Sequence, residues 1–361
     1  MELTVHYEEK PAYQIIIEKD YGRLVEALSI LSITNRKICI VTESTVAPYY
    51  AKEVQKLLAP YVKQIIIHTF PAGEVNKNLG TVQELYRDLI QHKFERTDML
   101  LALGGGVVGD LTGYTAATYL RGIDFAQLPT SLLSQVDSSI GGKTGVDFDC
   151  YKNMVGAFYQ PKLVYMNLST LKTLSDREYF SGMGEIIKHG LIKDASYYQW
   201  LISKIDLIKA RDLSVLEEMI YKSCEIKRAV VEHDPKEKGE RAMLNFGHTL
   251  GHAIEKLMQF SLLHGECVGL GMLAAAEISR KRGLIDKALC NSIKNLLNSL
   301  GMPTNVTGIF IDDIIEASKN DKKMEQGKVK FILLNQCGQA FIDRCVSDLE
   351  MKEAIQTILE E

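Results

Sequence analysis

The chain has 361 residues, of which 46% are hydrophobic and 24% are charged, as is usual for a globular protein. Its formal net charge of -4 argues against a nucleic-acid-binding protein, because neutralising phosphates requires concentrated Lys and Arg. The seven cysteines form no C-x-x-C pair, and no apolar run reaches membrane-spanning length. We therefore expect a cytoplasmic protein with reduced thiols.

The first half of the chain alternates short β-branched runs with amphipathic helical segments. This pattern predicts an α/β domain with a mostly parallel sheet. The predicted strands, in chain order, are Tyr13–Ile17, Lys37–Thr42, Gln64–Thr69, Met99–Leu103, Phe125–Leu128 and Leu163–Met166. The helices predicted between them include Tyr50–Leu58 and Val82–His92, where apolar residues recur three and four positions apart.

The second half of the chain consists of long amphipathic segments with helical periodicity, which predicts a second, all-helical domain. The predicted helices are Tyr179–Leu191, Ser196–Ile208, Leu213–Glu232, Asn245–Gln259, Glu266–Arg282 and Lys287–Leu300. The change of pattern places the domain boundary between residues 175 and 176. A chain of this length favours two domains over one.

A glycine-rich turn follows the predicted strand that ends at Leu103, and a helical pattern follows the turn. Gly104, Gly106 and Gly109 give a G-x-G-x-x-G match, with Asp110 directly behind it. Glycines allow a pyrophosphate to approach the backbone and the free N–H groups at a helix N-terminus. We therefore predict dinucleotide binding here, the alternative being a tight turn without a ligand.

A second stretch, residues 130–147, is rich in hydroxyl groups and glycines and holds Lys143 between Gly142 and Thr144. A lysine on a glycine loop adds positive charge to a group of backbone donors and so favours an anion. Lys152 and Asn153 follow shortly afterwards. The spacing is not that of a nucleoside-triphosphate loop. The alternative for each lysine is a solvated surface charge.

Three histidines and one glutamate indicate a metal site. His248 and His252 lie one helical turn apart, and His264 opens the next predicted helix. Glu185 lies on an otherwise apolar helical stripe, where a buried carboxylate needs a partner. Two imidazoles and one carboxylate suit catalytic Zn²⁺. Spacing alone leaves open which two histidines would bind, and the alternative for each is an ordinary hydrogen-bonded histidine.

Four segments resemble the signature segments of 3-dehydroquinate synthases, and the resemblance extends, in order, over nearly the whole chain. These segments are Gly104–Asp110, Leu128–Lys143, Gly184–Lys188 and Arg241–Glu255. The resemblance implies a Rossmann-like, NAD-binding N-terminal domain (1–175) and a helical C-terminal domain (176–361) that binds metal and substrate. It also implies an active site in the cleft between the domains, and a homodimer.

The family's reaction converts 3-deoxy-D-arabino-heptulosonate 7-phosphate into 3-dehydroquinate and phosphate, in the shikimate pathway toward chorismate. The resemblance implies transient oxidation by NAD, β-elimination of phosphate, re-reduction, ring opening and intramolecular aldol closure. Because the hydride is returned, the enzyme would be a lyase. It would take a small sugar-acid phosphate and bind neither nucleic acid nor membrane.

The resemblance also implies roles for individual residues. The metal ligands, for Zn²⁺ or alternatively Co²⁺, would be Glu185, His248 and His264. The residues implied in NAD binding are Glu74, Lys77, Gly105, Gly106, Asp110, Thr130, Ser131, Asp137, Lys143, Lys152 and Thr173. The residues implied in substrate binding and catalysis are Arg121, Asp137, Lys143, Lys152, Asn153, Lys188, Lys227, Arg241, Asn245 and His252. One of Lys322 and Lys323 is expected to join them.

Four positions depart from the family's pattern. Ser131 stands in place of Thr, Ser175 in place of Pro, and Gly184 in place of Ala, and none of these changes removes a functional group. Glu43 stands where an Asp is usual after the second strand. Whether Glu43 binds the adenosine ribose is left open.

Three other functions are compatible with parts of the pattern. A related sugar-phosphate cyclase, such as a 2-deoxy-scyllo-inosose synthase, would share NAD and metal, but Lys143 and Arg241 favour a substrate with a carboxylate. A metal-dependent polyol dehydrogenase would release NADH and would not need so many anion-binding cations. A non-catalytic binding protein would not need the metal set and the cation set together.

Overall fold

The computed structural model describes residues 1–149, 151–237, 239–259, 261–319, 324–325 and 328–360. The chain divides into two compact units, residues 1–174 with 216–228 and residues 175–215 with 229–361. The sequence pattern placed 216–228 in the second domain, whereas this segment groups with the first unit. The domain boundaries themselves stay a prediction.

The described residues of the first unit form nine strands. They are β1 (Glu2–Tyr7), β2 (Lys10–Glu18), β3 (Lys37–Glu43), β4 (Gln64–Phe70), β5 (Met99–Gly104), β6 (Asp124–Pro129), β7 (Lys143–Phe148), β8 (Tyr151–Phe158) and β9 (Leu163–Asn167). Seven of them form one sheet in the order β1-β2-β9-β6-β5-β3-β4, which is parallel except for the β1–β2 pair. β7 and β8 form a separate antiparallel hairpin. All six predicted strands and the mostly parallel sheet are confirmed.

The helices that accompany this sheet in the chain before residue 175 are α1 (Leu24–Ser29), α2 (Ala47–Leu58), α3 (Leu79–Gln91) and α4 (Gly106–Thr118). β5 is buried along its whole length. Leu101 and Leu103 pack into one apolar cluster, whereas Leu100 and Ala102 pack into another. Alternate residues of a strand point to opposite faces, so apolar layers cover both faces of the sheet.

The parallel strands bring several predicted site residues to one edge of the sheet. Their carboxyl ends share an edge, where α/β sheets bind ligands. Glu43 ends β3, Gly104 ends β5, and Thr130 directly follows β6. Glu74 lies shortly after β4. Strand direction therefore places residues that are distant in sequence along the same edge.

The second unit is mostly helical. Its helices are α5 (Asp176–Lys193), α6 (Ala195–Ser203), α7 (Ile205–Lys209), α9 (His248–Leu257), α10 (His264–Lys281), α11 (Lys287–Ser299), α12 (Ile311–Lys319) and α13 (Asp348–Ile355). Helix α8 (Leu213–His233) is divided between the units, with residues 216–228 in the first. The unit also contains two antiparallel strand pairs, which the all-helical prediction omitted. These are β10 (Met324–Glu325) with β11 (Lys328–Val329), and β12 (Phe331–Gln336) with β13 (Gln339–Asp343).

Local chemistry sets the helix ends. Ser175 caps α5 by accepting a hydrogen bond from the Glu178 N–H, so the serine in place of the usual proline has a structural function. The segment Ser196–Ile208 was predicted as one helix but is interrupted at Lys204.

Among the described residues, no helix has both the length and the apolar character needed to cross a bilayer.

Candidate active site

The glycine turn between β5 and α4 has the form expected for a phosphate group. Gly105 precedes the first turn of α4 and has no side chain with which to cap it. The first N–H groups of a helix have no partner within the helix, so they can bind an anion. A Cβ on Gly106 would lie 3.1 Å from Ser138 Oγ. The turn is therefore compatible with an anion such as the pyrophosphate of a dinucleotide, and dinucleotide binding at this turn stays a prediction.

Two further predicted NAD residues lie beside this turn. The Thr130 N–H donates to the Gly104 carbonyl oxygen at 3.0 Å. A Cβ on Gly105 would lie 3.5 Å from Ser131 Oγ, so the serine hydroxyl faces the glycine turn. Thr173 lies beyond the end of β9, where its hydroxyl contacts the Tyr50 hydroxyl and donates to the Thr170 carbonyl oxygen at 3.0 Å.

The Lys77 ammonium connects several predicted site residues. Its Nζ lies 2.9 Å from Asp110 Oδ2 and 3.5 Å from Glu74 Oε1. It also donates to Asn153 Oδ1 at 2.7 Å. Lys152 Nζ lies 4.0 Å from the same Glu74 oxygen. The structure thus brings together predicted NAD contacts and predicted phosphate contacts within one unit.

Burial strengthens the electrostatic interactions of this group. Lys77 is 4% exposed, and the neighbouring carboxylates outweigh the cost of burial and raise its pKa. Burial also raises the pKa of Asp110, although the Lys77 ammonium opposes the rise. A buried charge persists only when it is paired, so Lys77 and Asp110 depend on each other.

Asp137 and Lys227 form a second ion pair in the first unit. Asp137 lies in the π-helical turn Ser134–Ser138, an irregularity often found at functional sites. Lys227 Nζ donates to the Asp137 carbonyl oxygen at 2.6 Å and also to its carboxylate. Both residues were predicted to contact the substrate, but they are far apart in the sequence.

Glu43 already has a structural partner. Its carboxylate accepts hydrogen bonds from the Thr45 N–H at 2.5 Å and the Val46 N–H at 2.9 Å. The carboxylate therefore stabilises the turn before α2. Its contact with an adenosine ribose stays a prediction.

The structure does not bring Arg121 to the other predicted phosphate contacts. Arg121 precedes β6, at the amino end of the strand. The Tyr159 hydroxyl donates to the Ile123 carbonyl oxygen at 2.9 Å, so this end of β6 lies beside the end of β8. Lys152 and Asn153 occupy the start of β8, about 20 Å away along the strand. Strand direction, which the sequence motif does not encode, separates Arg121 from them.

Lys143 also lies away from Lys152 along the hairpin. It opens β7, where it pairs with Phe158 near the end of β8. Lys152 follows Tyr151, which pairs with Phe148 at the other end of the hairpin. A lysine contact with the same phosphate from both positions is therefore not supported within one chain.

Glu185, His248 and His264 converge in the second unit. Glu185 Oε1 lies 3.5 Å from His248 Nε2 and 3.5 Å from His264 Nε2. One donor atom from each of the three residues lies within 4.8 Å of the others. Two imidazole nitrogens and one carboxylate oxygen are the ligand set of many catalytic zinc sites. The residues implied as metal ligands therefore fit a divalent ion.

The environment of these three residues favours a cation. Burial opposes a charge on the His264 ring, but the carboxylates of Glu185 and Glu255 outweigh it and raise the His264 pKa to about 9. The His248 Nδ1 lies 3.1 Å from the Phe246 carbonyl oxygen. An N–H at Nδ1 that donates there leaves Nε2 available as a ligand.

Close helix packing brings α5 and α10 together at this site. A Cβ on Gly184 would lie 2.7 Å from the Gly265 carbonyl oxygen, and a Cβ on Gly265 would lie 1.8 Å from the Ser181 carbonyl oxygen. These two glycines precede Glu185 and follow His264 in the sequence. Their lack of side chains therefore allows the two predicted ligands to meet.

The remaining predicted residues of the second unit have defined partners. Lys188 donates to Glu185 Oε2, and both side chains are buried. Arg241 is 3% exposed and donates from Nη1 to the Pro235 carbonyl oxygen at 2.7 Å. Asn245 donates to Glu237 Oε1 at 2.8 Å.

His252 lies beside the predicted ligands, with its ring centroid 5.2 Å from that of His248 and 5.8 Å from that of His264. His252, Glu255 and His264 form a second group with donor atoms within 4.8 Å. By this distance criterion His252 is therefore also a candidate metal ligand. Lys322 and Lys323 lie outside the described residues.

Two carboxylates were missed by the sequence reasoning. Glu255 Oε2 lies 3.7 Å from His264 Nδ1, and Asp147 accepts a hydrogen bond from the Asn153 N–H. Glu255 lies two helical turns after His248, so a carboxylate on the same helix face as the histidine was an available signal in the sequence. Asp147 gave no comparable signal, because its partners are fixed by the hairpin register.

Residues 67–181 match the family described as 3-dehydroquinate synthase N-terminal, and residues 182–324 match 3-dehydroquinate synthase C-terminal. A curated protein of Acetivibrio thermocellus named 3-dehydroquinate synthase is 45% identical over 333 residues, which cover 92% of each chain. The chain belongs to the 3-dehydroquinate synthase family. A second family member, from Ruminiclostridium cellulolyticum, is 43% identical over 94% of each chain. Membership in this family identifies the chain as an enzyme, namely a cyclase of the lyase type.

Solved structures confirm the fold. A 2-deoxy-scyllo-inosose synthase complexed with carbaglucose-6-phosphate, NAD+ and Co²⁺ has a TM-score of 0.90 at 23% identity, covering 98% of this chain and 99% of that one. A 2-epi-5-epi-valiolone synthase of Streptomyces hygroscopicus, with NAD+ and Zn²⁺ bound, has a TM-score of 0.90 at 25% identity, covering 99% of each. A probable glycerol dehydrogenase of Sinorhizobium meliloti is more distant, with a TM-score of 0.64 at 14% identity over 96% of each chain. The alternative cyclase and the polyol dehydrogenase are thus distant structural relatives only.

Proposed function

We propose that this chain converts 3-deoxy-D-arabino-heptulosonate 7-phosphate into 3-dehydroquinate and phosphate, with one NAD and one divalent metal ion as cofactors. The observation that carries the proposal is the 45% identity to a 3-dehydroquinate synthase over 92% of both chains. The convergence of Glu185, His248 and His264 supports the metal requirement. The ligands in two related cyclases support NAD with Zn²⁺ or Co²⁺.

When bound, NAD would supply reversible hydride removal from a substrate alcohol, and the metal ion would polarise that hydroxyl. The chain's own residues would bind and orient the substrate. Lys152 and Asn153 would hold the phosphate group, which leaves during the reaction and can itself accept the proton during elimination. Glu74, Lys77 and Asp110 would fix the nucleotide beside them.

The other polar residues would bind the acid end of the substrate and its hydroxyls. Lys143, Arg241 and Asn245 are proposed for the carboxylate and hydroxyl groups, because fixed cations recognise a carboxylate best. Lys188, Lys227 and His252 are proposed to orient the hydroxyls and to move protons between them. Arg121 stays a predicted phosphate contact, although within one chain it lies about 20 Å from Lys152 and Asn153. The homodimer and the cytoplasmic location stay predictions.

A comparison of two substrates tests the proposed function. Purified protein with NAD and Zn²⁺ is expected to release phosphate from the heptulosonate phosphate, but not from glucose 6-phosphate, which has no carboxylate. Phosphate is measured by a colorimetric assay and 3-dehydroquinate by mass spectrometry. Turnover of glucose 6-phosphate in preference to the heptulosonate would indicate a different cyclase.

Replacing Arg241 should impair recognition of the carboxylate. We expect Arg241→Met to lower kcat/KM for the heptulosonate phosphate about 100-fold, mostly through KM. The variant would lose the proposed ion pair between the buried guanidinium and the substrate carboxylate. Steady-state phosphate release measures the effect, and thermal unfolding checks that the variant is folded. Arg280→Met is the matched control, because Arg280 pairs with Glu277 on α10. An unchanged KM in Arg241→Met would remove Arg241 from the substrate site.

A further inference from the structure

Asp147 connects the β7–β8 hairpin to the segment that carries Lys77, yet the proposed function gives it no role. Its backbone N–H donates to the Lys77 carbonyl oxygen at 2.8 Å. Its Oδ1 accepts a hydrogen bond from the Asn153 N–H, also at 2.8 Å. Asp147 and Asn78 additionally form an isolated parallel bridge. One residue therefore holds two chain segments that are distant in sequence.

Three hydrogen bonds close a ring through these residues. The Asp147 N–H donates to the Lys77 carbonyl, and the Asn153 N–H donates to the Asp147 carboxylate. Lys77 Nζ donates to Asn153 Oδ1 at 2.7 Å and completes the ring. The ring fixes both the backbone and the side chain of Lys77 and of Asn153. Neither residue can move far without breaking one of these bonds.

The backbone of Asn153 needs such support. Its φ is 52°, in the left-handed region, although it lies within strand β8. Asn tolerates this region better than most residues, but the conformation persists only where the surroundings impose it. The Asp147 carboxylate provides this constraint by accepting the Asn153 N–H. The direction of the Asn153 amide therefore depends on Asp147.

We propose that Asp147 is a positioning residue that couples dinucleotide binding to phosphate binding. The inference rests on the proposed function, which assigns Lys77 to the nucleotide and Asn153 to the phosphate group. Either ligand would order the ring that the other ligand also needs. Coupling between two ligands is reciprocal, so each should bind more tightly when the other is present.

Three variants separate hydrogen-bond geometry from charge at Asp147. Asp147→Ala removes the acceptor, and Asp147→Asn keeps an acceptor oxygen of the same reach without the charge. Asp147→Glu keeps the charge but displaces the acceptor by one methylene. If Asp147→Ala does not fold, Asp147→Glu takes its place in the experiment. Asp149→Gly is the matched control. This variant removes an exposed carboxylate from the same hairpin. The φ of Asp149 is 52°, which glycine adopts without strain.

The affinity for NAD, with and without inorganic phosphate, is measured by isothermal titration calorimetry. We expect phosphate to tighten NAD binding in the wild-type protein and in Asp149→Gly, and this effect to be lost in Asp147→Ala and Asp147→Glu. Losing one charge-assisted hydrogen bond corresponds to roughly a tenfold change. KM for the heptulosonate phosphate should rise by a similar factor in both, with a smaller change in kcat. Asp147→Asn should remain within about threefold of wild type.

Each outcome either supports or overturns the positioning role. Wild-type coupling and KM in Asp147→Ala or Asp147→Glu would overturn it, as would a full loss in Asp147→Asn, which would indicate a role for charge alone. Absence of any coupling in the wild-type protein would also overturn it. Failure of the proposed function is distinguishable, because a wild-type protein that does not turn over the heptulosonate can still be titrated with NAD and phosphate.

Discussion

Glu185→Gln is expected to abolish nearly all turnover while leaving the protein folded. Glutamine has almost the same shape, but it lacks the negative charge that would hold a divalent ion between His248 and His264. Loss of the charge stabilisation that such an ion supplies, several kcal/mol, corresponds to about 1000-fold in kcat. Phosphate release measures this loss. We also expect the affinity for Zn²⁺ to fall at least about 100-fold, measured by competition with a chelator.

The control for this prediction is Glu277→Gln. Glu277 lies on α10, as His264 does, but it pairs with Arg280, with Arg280 Nε donating to Glu277 Oε2 at 2.7 Å. This variant loses the same charge and should keep the wild-type affinity for Zn²⁺. A Glu185→Gln variant that binds Zn²⁺ as tightly as the wild-type protein would exclude Glu185 as a ligand.

Gly265→Ala should separate the two helices that carry the predicted ligands. The added methyl group would lie 1.8 Å from the Ser181 carbonyl oxygen, a distance that no relaxation of a flexible side chain can relieve. Helix α10 must therefore move away from α5, and His264 must move away from Glu185. We expect a loss of about 3 kcal/mol in the free energy of unfolding. Chemical denaturation measures this, and chelator competition should show weaker binding of Zn²⁺.

Gly269→Ala tests whether the effect is specific to that contact. Gly269 lies on the same helix, but its added methyl group would approach only the ends of two flexible side chains, Met302 at 3.4 Å and Leu297 at 3.5 Å. Alanine also favours a helix over glycine by up to about 1 kcal/mol. The control should therefore be as stable as the wild-type protein. Equal stability of both variants would show that close packing at Gly265 does not support the site.

Much of the fold follows from short-range patterns in the sequence. The buried strands of the parallel sheet appear as continuous apolar runs, so β3 and β5 were predicted almost to the residue. The β7–β8 hairpin was missed because its glycines and hydroxyl groups resemble those of a loop. β12 was missed because a short apolar run fits a buried helix as well as a strand. The apolar periodicity continues across Lys204, so it does not reveal the break there.

The candidate site was predicted by residue type better than by position. The histidine spacing placed His248 and His252 on one helix face, but it did not choose between them. The contact of Glu185 with His264 depends on the close packing of α5 against α10 at Gly184 and Gly265, and helical periodicity gives no such distances. Arg121 was grouped with Lys152 by the family's pattern, but within one chain the direction of β8 separates the two residues. Long-range geometry therefore limited the prediction, whereas local chemistry did not.

The most direct test of the central claim, a lyase that uses NAD without consuming it, follows three quantities in one reaction. Phosphate, 3-dehydroquinate and NADH absorbance are recorded while the protein, Zn²⁺ and a small amount of NAD act on excess heptulosonate phosphate. We predict equimolar phosphate and 3-dehydroquinate over many turnovers per NAD, with no build-up of NADH. Accumulation of NADH in proportion to product, or absence of phosphate release, would contradict the proposed function.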